Sequence, residues 1–184
     1  LEARHLLVSI AAGVDLQRLA SLFGTGRIIR VMPNTPSLVG CGAAGFALGP
    51  EATGEDGRRV ARLLESVGIA VQVEERLLDA VTGLSGSGPA FVYTMIEALS
   101  DGGVRMGLPR ATATALAAQT VQGAARMVLA GTDHPAVLRD QVTSPGGTTQ
   151  AAVESFEAAG LRNLVSQAMQ AAADRADEMA REMG

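Results

Sequence analysis

The chain has 184 residues, 47% hydrophobic and 18% charged, and its net charge of −4 excludes the basic surface that nucleic-acid binding requires. All 15 basic residues are arginine, which excludes Schiff-base chemistry on a lysine, and the single cysteine excludes an internal disulfide. With two histidines far apart we predict no metal site, and with neither a long apolar run nor a signal-peptide pattern at the start we expect a cytoplasmic protein.

The first 75 residues alternate short apolar runs with helical stretches, a pattern typical of an α/β domain. The runs predict four strands, of which the first reads as a buried parallel strand. Asp15 is expected to be the N-cap of the first helix. In chain order, the strands are predicted at residues 6–10, 27–32, 45–48 and 69–73, and the helices at residues 15–22 and 55–67.

Residues 76–184 carry helical periodicity without strand signals, which predicts a separate all-helical domain. Alanine is frequent in this part, and alanine-rich helix faces bury little apolar area each. We therefore expect these helices to bury further surface against a second copy of the chain. The helical segments are predicted at residues 77–106, 110–129, 136–143 and 148–183.

One hexapeptide, GCGAAG at residues 40–45, matches the dinucleotide-binding pattern G-x-G-x-x-G letter for letter. That pattern binds phosphate where a strand precedes it and a helix opens within it. Here a proline-rich turn precedes the glycines and a strand-like run follows them. We therefore interpret the hexapeptide as a loop and not as a phosphate site.

The stretch VMPNTP, at residues 31–36, ends the second predicted strand in a polar turn held by prolines. Ligands bind at the carboxyl ends of strands in α/β sheets, and Asn34 and Thr35 offer an amide and a hydroxyl there. A rigid turn between strand and loop explains the same residues on local grounds. Both interpretations stay open.

In the stretch LSGSGP, at residues 84–89, glycines and a proline interrupt a helical pattern. Such residues kink a helix or let another backbone approach it closely. A phosphate-binding P-loop is excluded because no lysine follows. We interpret the stretch as a packing feature.

The stretch VTSPGGTTQAA, at residues 142–152, places a proline, two glycines and four hydroxyl groups at the start of a predicted helix. Proline ends the preceding helix, and the glycines let a ligand approach the main chain. Thr148 and Thr149 then fall where the next helix exposes unpaired N–H groups, which predicts an anion site supplemented by hydroxyls. An ordinary helix–turn–helix with a threonine N-cap is the alternative.

Seven stretches occur in an order and over a length that point to one known family. They are VSIAAGV, RVMPNTP, VTGLSGSGPAF, DGGVRMGLPR, AAQTVQGAARM, HPAVLRDQVTSPGGTTQAAV and GLRNLVSQAM. Together they resemble the pyrroline-5-carboxylate reductase family, and the longest covers its signature almost position by position. The resemblance implies an oxidoreductase that reduces L-1-pyrroline-5-carboxylate to L-proline with NADPH or NADH, the last step of proline biosynthesis.

The resemblance also implies a substrate site. Thr149 would hydrogen-bond the ring nitrogen as hydride reaches the adjacent carbon. The N–H groups of Gly147, Thr148 and Thr149 would bind the substrate carboxylate, with a further hydrogen bond from Ser144. Glu75 matches a position that faces the substrate region, although a solvated glutamate at a helix start is the alternative.

For the cofactor, the resemblance implies that Ala11, Ala12 and Asn34 lie near the nicotinamide and that Gln141 reaches the cofactor from the helical domain. The helical domains of two subunits interleave in this family. Gln141 and Thr149 are therefore expected to serve the partner's cofactor in a homodimer, or in a larger assembly of dimers.

The family begins with a strand–GxGxxG–helix unit, and the resemblance starts after it. We therefore expect the C-terminal part of a Rossmann-type domain at residues 1–75 and a complete helical dimerisation domain at residues 76–184. A dimerising fragment without activity is the alternative function. A lysine-using hydroxyacid dehydrogenase has a similar layout, and the absence of lysine argues against it.

Overall fold

The computed structural model describes Glu2 and residues 4–183, without the side chain of Met183. The chain divides into two compact units. The first unit comprises Leu1–Pro89 with Ser166–Gly184, and the second comprises Ala90–Val165. This division differs from the predicted boundary after residue 75, because the residues that follow the sheet pack back onto it. Leu78, for example, is fully buried in the core of the first unit.

The first unit contains a four-stranded sheet in the order β1-β2-β3-β4. β1 pairs with β2 in parallel, β2 with β3 antiparallel, and β3 with β4 in parallel. The strands are β1 (Leu7–Ser9), β2 (Ile28–Met32), β3 (Gly42–Leu48) and β4 (Gly68–Gln72). All four predicted strands are therefore present, in a mixed sheet of the kind expected for part of a Rossmann-type domain.

The prediction that the first strand is buried is wrong. Among the described residues β1 pairs with β2 alone, and apolar side chains in and beside the strand are open to solvent: Val8 is 40% exposed and Ile10 is 67% exposed. The buried strands are β2 and β3: Ile28 and Ile29 of β2 have no exposed surface, and Phe46 of β3 is 3% exposed. A strand's position within the sheet decides how far it is buried, and the apolar content of its sequence does not reveal that position.

Two helices cover the two faces of this sheet. Helix α1 (Leu16–Phe23) has Asp15 as its N-cap, as predicted, and packs on Ile28 with Leu16 and Leu19. Helix α2 (Gly54–Glu65) packs on the other face through Val60. A short 3-10 turn, Thr35–Val39, links β2 to β3, and another, Glu75–Leu77, follows β4.

The remaining described chain is helical, as predicted, but two of the predicted segments are divided. The first divides into α3 (Leu78–Val81), a π-helical turn (Thr82–Gly86) and α4 (Gly88–Arg105). The last divides at Gly160, whose φ of 72° ends α7 before α8 begins. The other helices are α5 (Arg110–Ala130), α6 (Pro135–Gln141), α7 (Thr148–Ala158) and α8 (Leu161–Met183).

The second unit has almost no core of its own. Its buried residues are Ser100, Gly103, Ala113 and Ala117, all small. Large apolar side chains on α4, α5 and the segment between them are instead exposed, such as Met106 at 83% and Leu129 at 75%. None of the described helices combines the length and the apolar character that crossing a membrane takes.

Candidate functional site

The loop between α6 and α7 holds most of the predicted substrate-binding residues, and its shape is set by local hydrogen bonds. The Thr143 hydroxyl donates to the carbonyl of Arg139 (2.7 Å), and the backbone N–H of Gly147 donates to the carbonyl of Ser144 (2.9 Å). Gly146 has a φ of 70°, in the left-handed region that favours glycine. Its N–H donates to Oε1 of Gln150 (2.7 Å). The loop therefore turns tightly into α7.

The threonine N-cap considered from the sequence is wrong. Helix α7 begins at Thr148, its N-cap is Gly147, and no side chain caps it. The hydroxyls of Ser144, Thr148 and Thr149 make no hydrogen bond within the described residues. They are consequently available to a ligand, which a capping hydroxyl would not be.

The N–H groups at the start of α7 differ in availability. The N–H of Gly147 is already paired with Ser144, so it cannot also bind a carboxylate in this conformation. The N–H groups of Thr148 and Thr149 lie in the first turn, have no acceptor among the described residues, and carry the positive end of the helix dipole. A Cβ on Gly147 would lie 3.0 Å from the hydroxyl oxygen of Ser144, so a side chain at this position would crowd that hydroxyl.

Gln141 is the last residue of α6 and directly precedes this loop. Its amide donates to a carboxylate oxygen of Asp133 over 3.3 Å, and the side chain is exposed. A contact this long between exposed groups is easily exchanged for another. Gln141 is therefore accessible to a ligand in the second unit.

Ala11 and Ala12 lie in the first unit, in the exposed turn that follows β1. The turn reverses at Gly13, with a φ of 72°, and enters α1, where Asp15 accepts the N–H of Arg18 (2.7 Å). Small side chains and exposure let a ligand approach this backbone closely. Because β1 and β2 are parallel, their carboxyl ends lie side by side, so the turn after β1 lies at the same end of the strands as Asn34, which follows β2.

Asn34 uses its whole side-chain amide within the chain. Its nitrogen donates to the carbonyl (3.2 Å) and hydroxyl (3.1 Å) of Ser85, and its oxygen accepts the N–H of Ala43 (2.9 Å). The Ser85 hydroxyl in turn donates to the carbonyl of Ala43 (2.6 Å). Asn34 thereby joins the end of β2, the start of β3 and the π-helical turn, which agrees with the rigid-turn interpretation.

Glu75 has two partners that the sequence does not reveal. Its Oε1 accepts the backbone N–H of Leu16 (2.7 Å) and a hydrogen bond from Nη1 of Arg30 (3.2 Å). Glu75 is also not a freely solvated glutamate, since it is half-buried. Sequence reasoning passed over Arg30, and the available signal was an arginine within the apolar run RIIRVM.

Arg30 has a second acidic neighbour in Asp79, whose carboxylate lies 3.9 Å from its guanidinium. Burial raises the pKa of Asp79, Arg30 opposes that change, and the nearby carboxylates of Asp177 and Glu75 add to it. The closer partner of Arg30 is Glu75, at 3.2 Å against 3.9 Å for Asp79.

The hexapeptide GCGAAG is not a phosphate-binding turn, but most of it is also not a loop. Gly42 to Gly45 belong to β3, and the glycines serve packing. A Cβ on Gly45 would lie 2.9 Å from the Val81 side chain, and one on Gly42 would collide with Ser37. The first glycine, Gly40, ends the 3-10 turn with a φ of 72°.

The predicted site residues fall into two groups, one in each unit. The first unit holds Ala11, Ala12, Asn34 and Glu75, and the second holds Gln141, Ser144, Gly147, Thr148 and Thr149. Within the first unit, Ala11, Ala12 and Asn34 lie at the carboxyl ends of β1 and β2, whereas Glu75 contacts α1 and β2 through Leu16 and Arg30. Within the second, all five residues lie in or beside one loop.

Comparison with known proteins identifies relatives across nearly the whole chain. Residues 75–179 match the family described as pyrroline-5-carboxylate reductase dimerisation. A pyrroline-5-carboxylate reductase from Arabidopsis thaliana is 52% identical over 179 residues, which are 97% of this chain and 65% of that protein. The chain spans less than two thirds of the length of the curated relatives it matches first.

Solved structures agree with the sequence match. The structure of a pyrroline-5-carboxylate reductase from Coxiella burnetii superposes with a TM-score of 0.94 at 38% identity, over 97% of this chain and 67% of that one. The crystal structure of the Plasmodium falciparum pyrroline carboxylate reductase with NADP bound gives a TM-score of 0.87 at 35% identity, over 95% and 71%. This chain therefore shares its fold with pyrroline-5-carboxylate reductases.

Proposed function

The chain belongs to the pyrroline-5-carboxylate reductase family, and on that premise we propose that the protein containing it reduces L-1-pyrroline-5-carboxylate to L-proline with NADPH or NADH. The observation that carries the proposal is the start of α7. The N–H groups of Thr148 and Thr149 and the hydroxyls of Ser144, Thr148 and Thr149 surround a tight glycine turn there, and none of these groups has a partner in the part of the chain that the structure describes. The reaction belongs to proline biosynthesis. We also propose a cytoplasmic location, as predicted from the sequence.

In this proposal the substrate carboxylate lies at the N-terminus of α7. The N–H groups of Thr148 and Thr149 donate to it, favoured by the helix dipole, and the Ser144 hydroxyl donates a further hydrogen bond. Gly147 takes part through its missing side chain, because its N–H is used by Ser144. No lysine or histidine is needed to hold the carboxylate.

Thr149 is proposed as the catalytic residue. Its hydroxyl hydrogen-bonds the ring nitrogen and orients the carbon–nitrogen double bond, while its N–H holds the carboxylate. One residue would then hold both the ring nitrogen and the carboxylate, so that only one face of the ring is presented to the cofactor. The reduced nicotinamide, when bound, would supply the hydride to the ring carbon of a substrate whose ring nitrogen is already protonated, so that the electron pair of the double bond is taken up by that nitrogen.

The residues described here fit the nicotinamide end of a dinucleotide. Ala11 and Ala12 present small side chains in an exposed turn, which suits close approach of a flat ring. Asn34 would act by holding its own turn between β2 and β3, since its amide is already paired with Ser85 and Ala43. Gln141 offers an exchangeable amide from the second unit. The bound NADP in the Plasmodium falciparum relative supports this part of the proposal.

The protein is further proposed to act as a homodimer, or as a larger assembly of dimers, in which Gln141 and Thr149 serve the partner's cofactor. The match to a dimerisation family supports this arrangement. So do the exposed apolar side chains of α4 and α5, which leave the second unit almost without a core.

The reaction is tested by following NADPH oxidation when purified protein is mixed with L-1-pyrroline-5-carboxylate. Two proteins are compared: the 184 residues alone and the longest protein encoded at the same locus. Proline formation by the longer protein, confirmed by mass spectrometry, is the expected result. A longer protein that dimerises but produces no proline would contradict the proposal and favour the inactive dimerising function.

A further inference from the structure

Arg30 occupies an unusual place for a charged residue. Side chains alternate along β2, so Arg30 points to the same face of the sheet as Ile28 and Met32, which pack in the core beneath α1. The residue is 8% exposed. A buried guanidinium is costly unless it is paired, so its partners indicate what it does.

The nearest partner, Glu75, connects Arg30 to the start of α1. One oxygen atom, Oε1, accepts both the Arg30 hydrogen bond (3.2 Å) and the N–H of Leu16 (2.7 Å). Leu16 is the first residue of α1, and Asp15 caps the same helix by accepting the backbone N–H of Arg18. Two carboxylates therefore hold one helix N-terminus, and one of them is itself held by Arg30.

The helix N-terminus is also the end of the turn that carries Ala11 and Ala12. β1 ends at Ser9, and only six residues, 10–15, separate it from Leu16. One end of this turn is fixed by the strand, and the other is fixed by Glu75. A shift of Leu16 therefore moves the exposed backbone between them.

We propose that Arg30 and Glu75 act as a positioning pair, which holds the turn of residues 11–15 in the conformation that receives the nicotinamide. The inference rests on the proposed function for what the turn binds. It assigns to Glu75 an indirect role: the carboxylate places the cofactor side of the site, and it does so without touching substrate.

A second pair in the same unit provides a matched control. Arg27, just before β2, donates two hydrogen bonds to Asp56 (3.0 and 2.7 Å), and Asp56 belongs to the capping box of α2. This pair also joins β2 to a helix N-terminus, but on the opposite face of the sheet. Breaking it should cost stability without disturbing the turn of residues 11–15.

The first test is amide hydrogen exchange on the 184-residue chain. Glu75→Ala should speed exchange at Leu16 and in the turn by about ten- to a hundredfold, the factor that corresponds to a lost hydrogen bond to a charged group. Arg30→Met should speed the same amides by a smaller factor. Arg27→Met should leave them unchanged. A Leu16 exchange rate in Glu75→Ala equal to that of the wild type would overturn the inference. So would a Leu16 exchange rate in Arg27→Met above that of the wild type.

The second test is kinetic and uses the longer protein encoded at the locus. Glu75→Ala and Arg30→Met should each raise the KM for the dinucleotide, by about tenfold, with the KM for pyrroline-5-carboxylate unchanged. Arg30→Lys, which keeps the charge, should restore most of the loss. A rise confined to the KM for pyrroline-5-carboxylate would overturn the inference and return Glu75 to direct substrate binding.

The two tests remain informative if a variant fails to fold. Should Arg30→Met not fold, Glu75→Gln replaces it, because the amide oxygen still accepts the Leu16 N–H but no longer pairs with a charge. Faster exchange at Leu16 in Glu75→Gln than in Arg27→Met supports the pair, and equal exchange refutes it. A native protein without reductase activity would refute the proposed function alone, since the exchange result does not depend on it.

Discussion

At the scale of the residue, the structure gives different solvent exposure to two adjacent threonines, Thr148 and Thr149, that the sequence does not distinguish. Thr148 and Thr149 open α7, and neither hydroxyl caps the helix. Thr149 is half-buried and Thr148 is exposed. The same backbone geometry thus places one hydroxyl in a more enclosed position than the other, and substitution of each provides a direct comparison.

Thr149→Val keeps the shape of the side chain and removes its hydroxyl. If the hydroxyl bonds the ring nitrogen during hydride transfer, the loss corresponds to ~1.5–3 kcal/mol, or roughly a ten- to hundredfold lower kcat/KM. Dinucleotide affinity should not change. Thr148→Val is the matched control and should cost less. Steady-state kinetics on the longer encoded protein measure both, and wild-type turnover in Thr149→Val would remove Thr149 from the mechanism.

Because no threonine caps α7, neither substitution should lower the melting temperature appreciably. This expectation differs from what a capping role predicts, since loss of a cap costs about 1 kcal/mol. Thermal unfolding of the two variants beside the wild type measures it. A lower melting temperature with intact kcat/KM would show that the threonine acts structurally.

At the scale of the element, helix α2 shows how one strong local arrangement responds to pH. Thr53 and Asp56 form its capping box, and Asp56 also receives two hydrogen bonds from Arg27. The Arg27 guanidinium, followed by the backbone N–H of Thr53, holds the pKa of Asp56 well below its usual range. The folded state therefore binds this proton less readily than the unfolded state does.

The sign of the resulting pH dependence follows from that lowered pKa. The stabilisation by ionised Asp56 is complete above the unfolded pKa of about 3.9 and is lost as pH falls through the folded pKa. The difference in melting temperature between wild type and Asp56→Asn should consequently shrink as pH falls below about 4. Glu55→Gln, which removes an exposed pair with Arg59, should show little difference at any pH. A constant difference for Asp56→Asn would contradict the assignment.

At the scale of the whole molecule, the two units bury apolar surface to different extents. The first unit has two clusters of buried apolar residues, one on each face of its sheet. The second unit buries only small residues and exposes large ones along α4 and α5. Helices packed through alanine and glycine gain little from their own contacts, so a second copy is the expected source of further burial.

The chain should accordingly form a stable dimer, with residues 89–129 contributing most of the contact. Sedimentation at micromolar concentration measures the mass, and the dimer is the expected species. Met106→Glu and Leu129→Glu, which place charges on exposed apolar positions, should weaken it. A folded monomer of the wild-type chain at this concentration would refute the prediction.

The 184 residues as printed should bind nicotinamide dinucleotides weakly. Their one G-x-G-x-x-G match lies largely in β3, where its glycines pack against Val81 and Ser37 and have no helix to open. Calorimetry with NADPH measures the affinity. A micromolar Kd for the 184-residue chain would contradict the prediction, and Gly45→Ala would then show whether the hexapeptide is involved.

What the sequence determined by itself is local or repeated along the chain. The Asp15 cap, the four strands and the helical character of residues 76–184 are of this kind, because each depends on neighbouring residues. The family resemblance was equally accessible, since it depends on the order of motifs. The order of the strands is not accessible in this way, because apolar content alone predicts a buried β1, whereas β1 lies at an edge of the sheet.

Only the tertiary structure decided which polar groups are already paired. Arg30 and Glu75 are 45 residues apart, and Asn34 and Ser85 are 51 apart. Each pair meets because sheet and helix packing bring the segments together, and no spacing rule relates them. The Gly147 N–H is paired with a residue three positions away, yet its partner depends on the left-handed turn at Gly146. Residue type indicates what a group can bind, whereas packing decides whether the group is free to bind it.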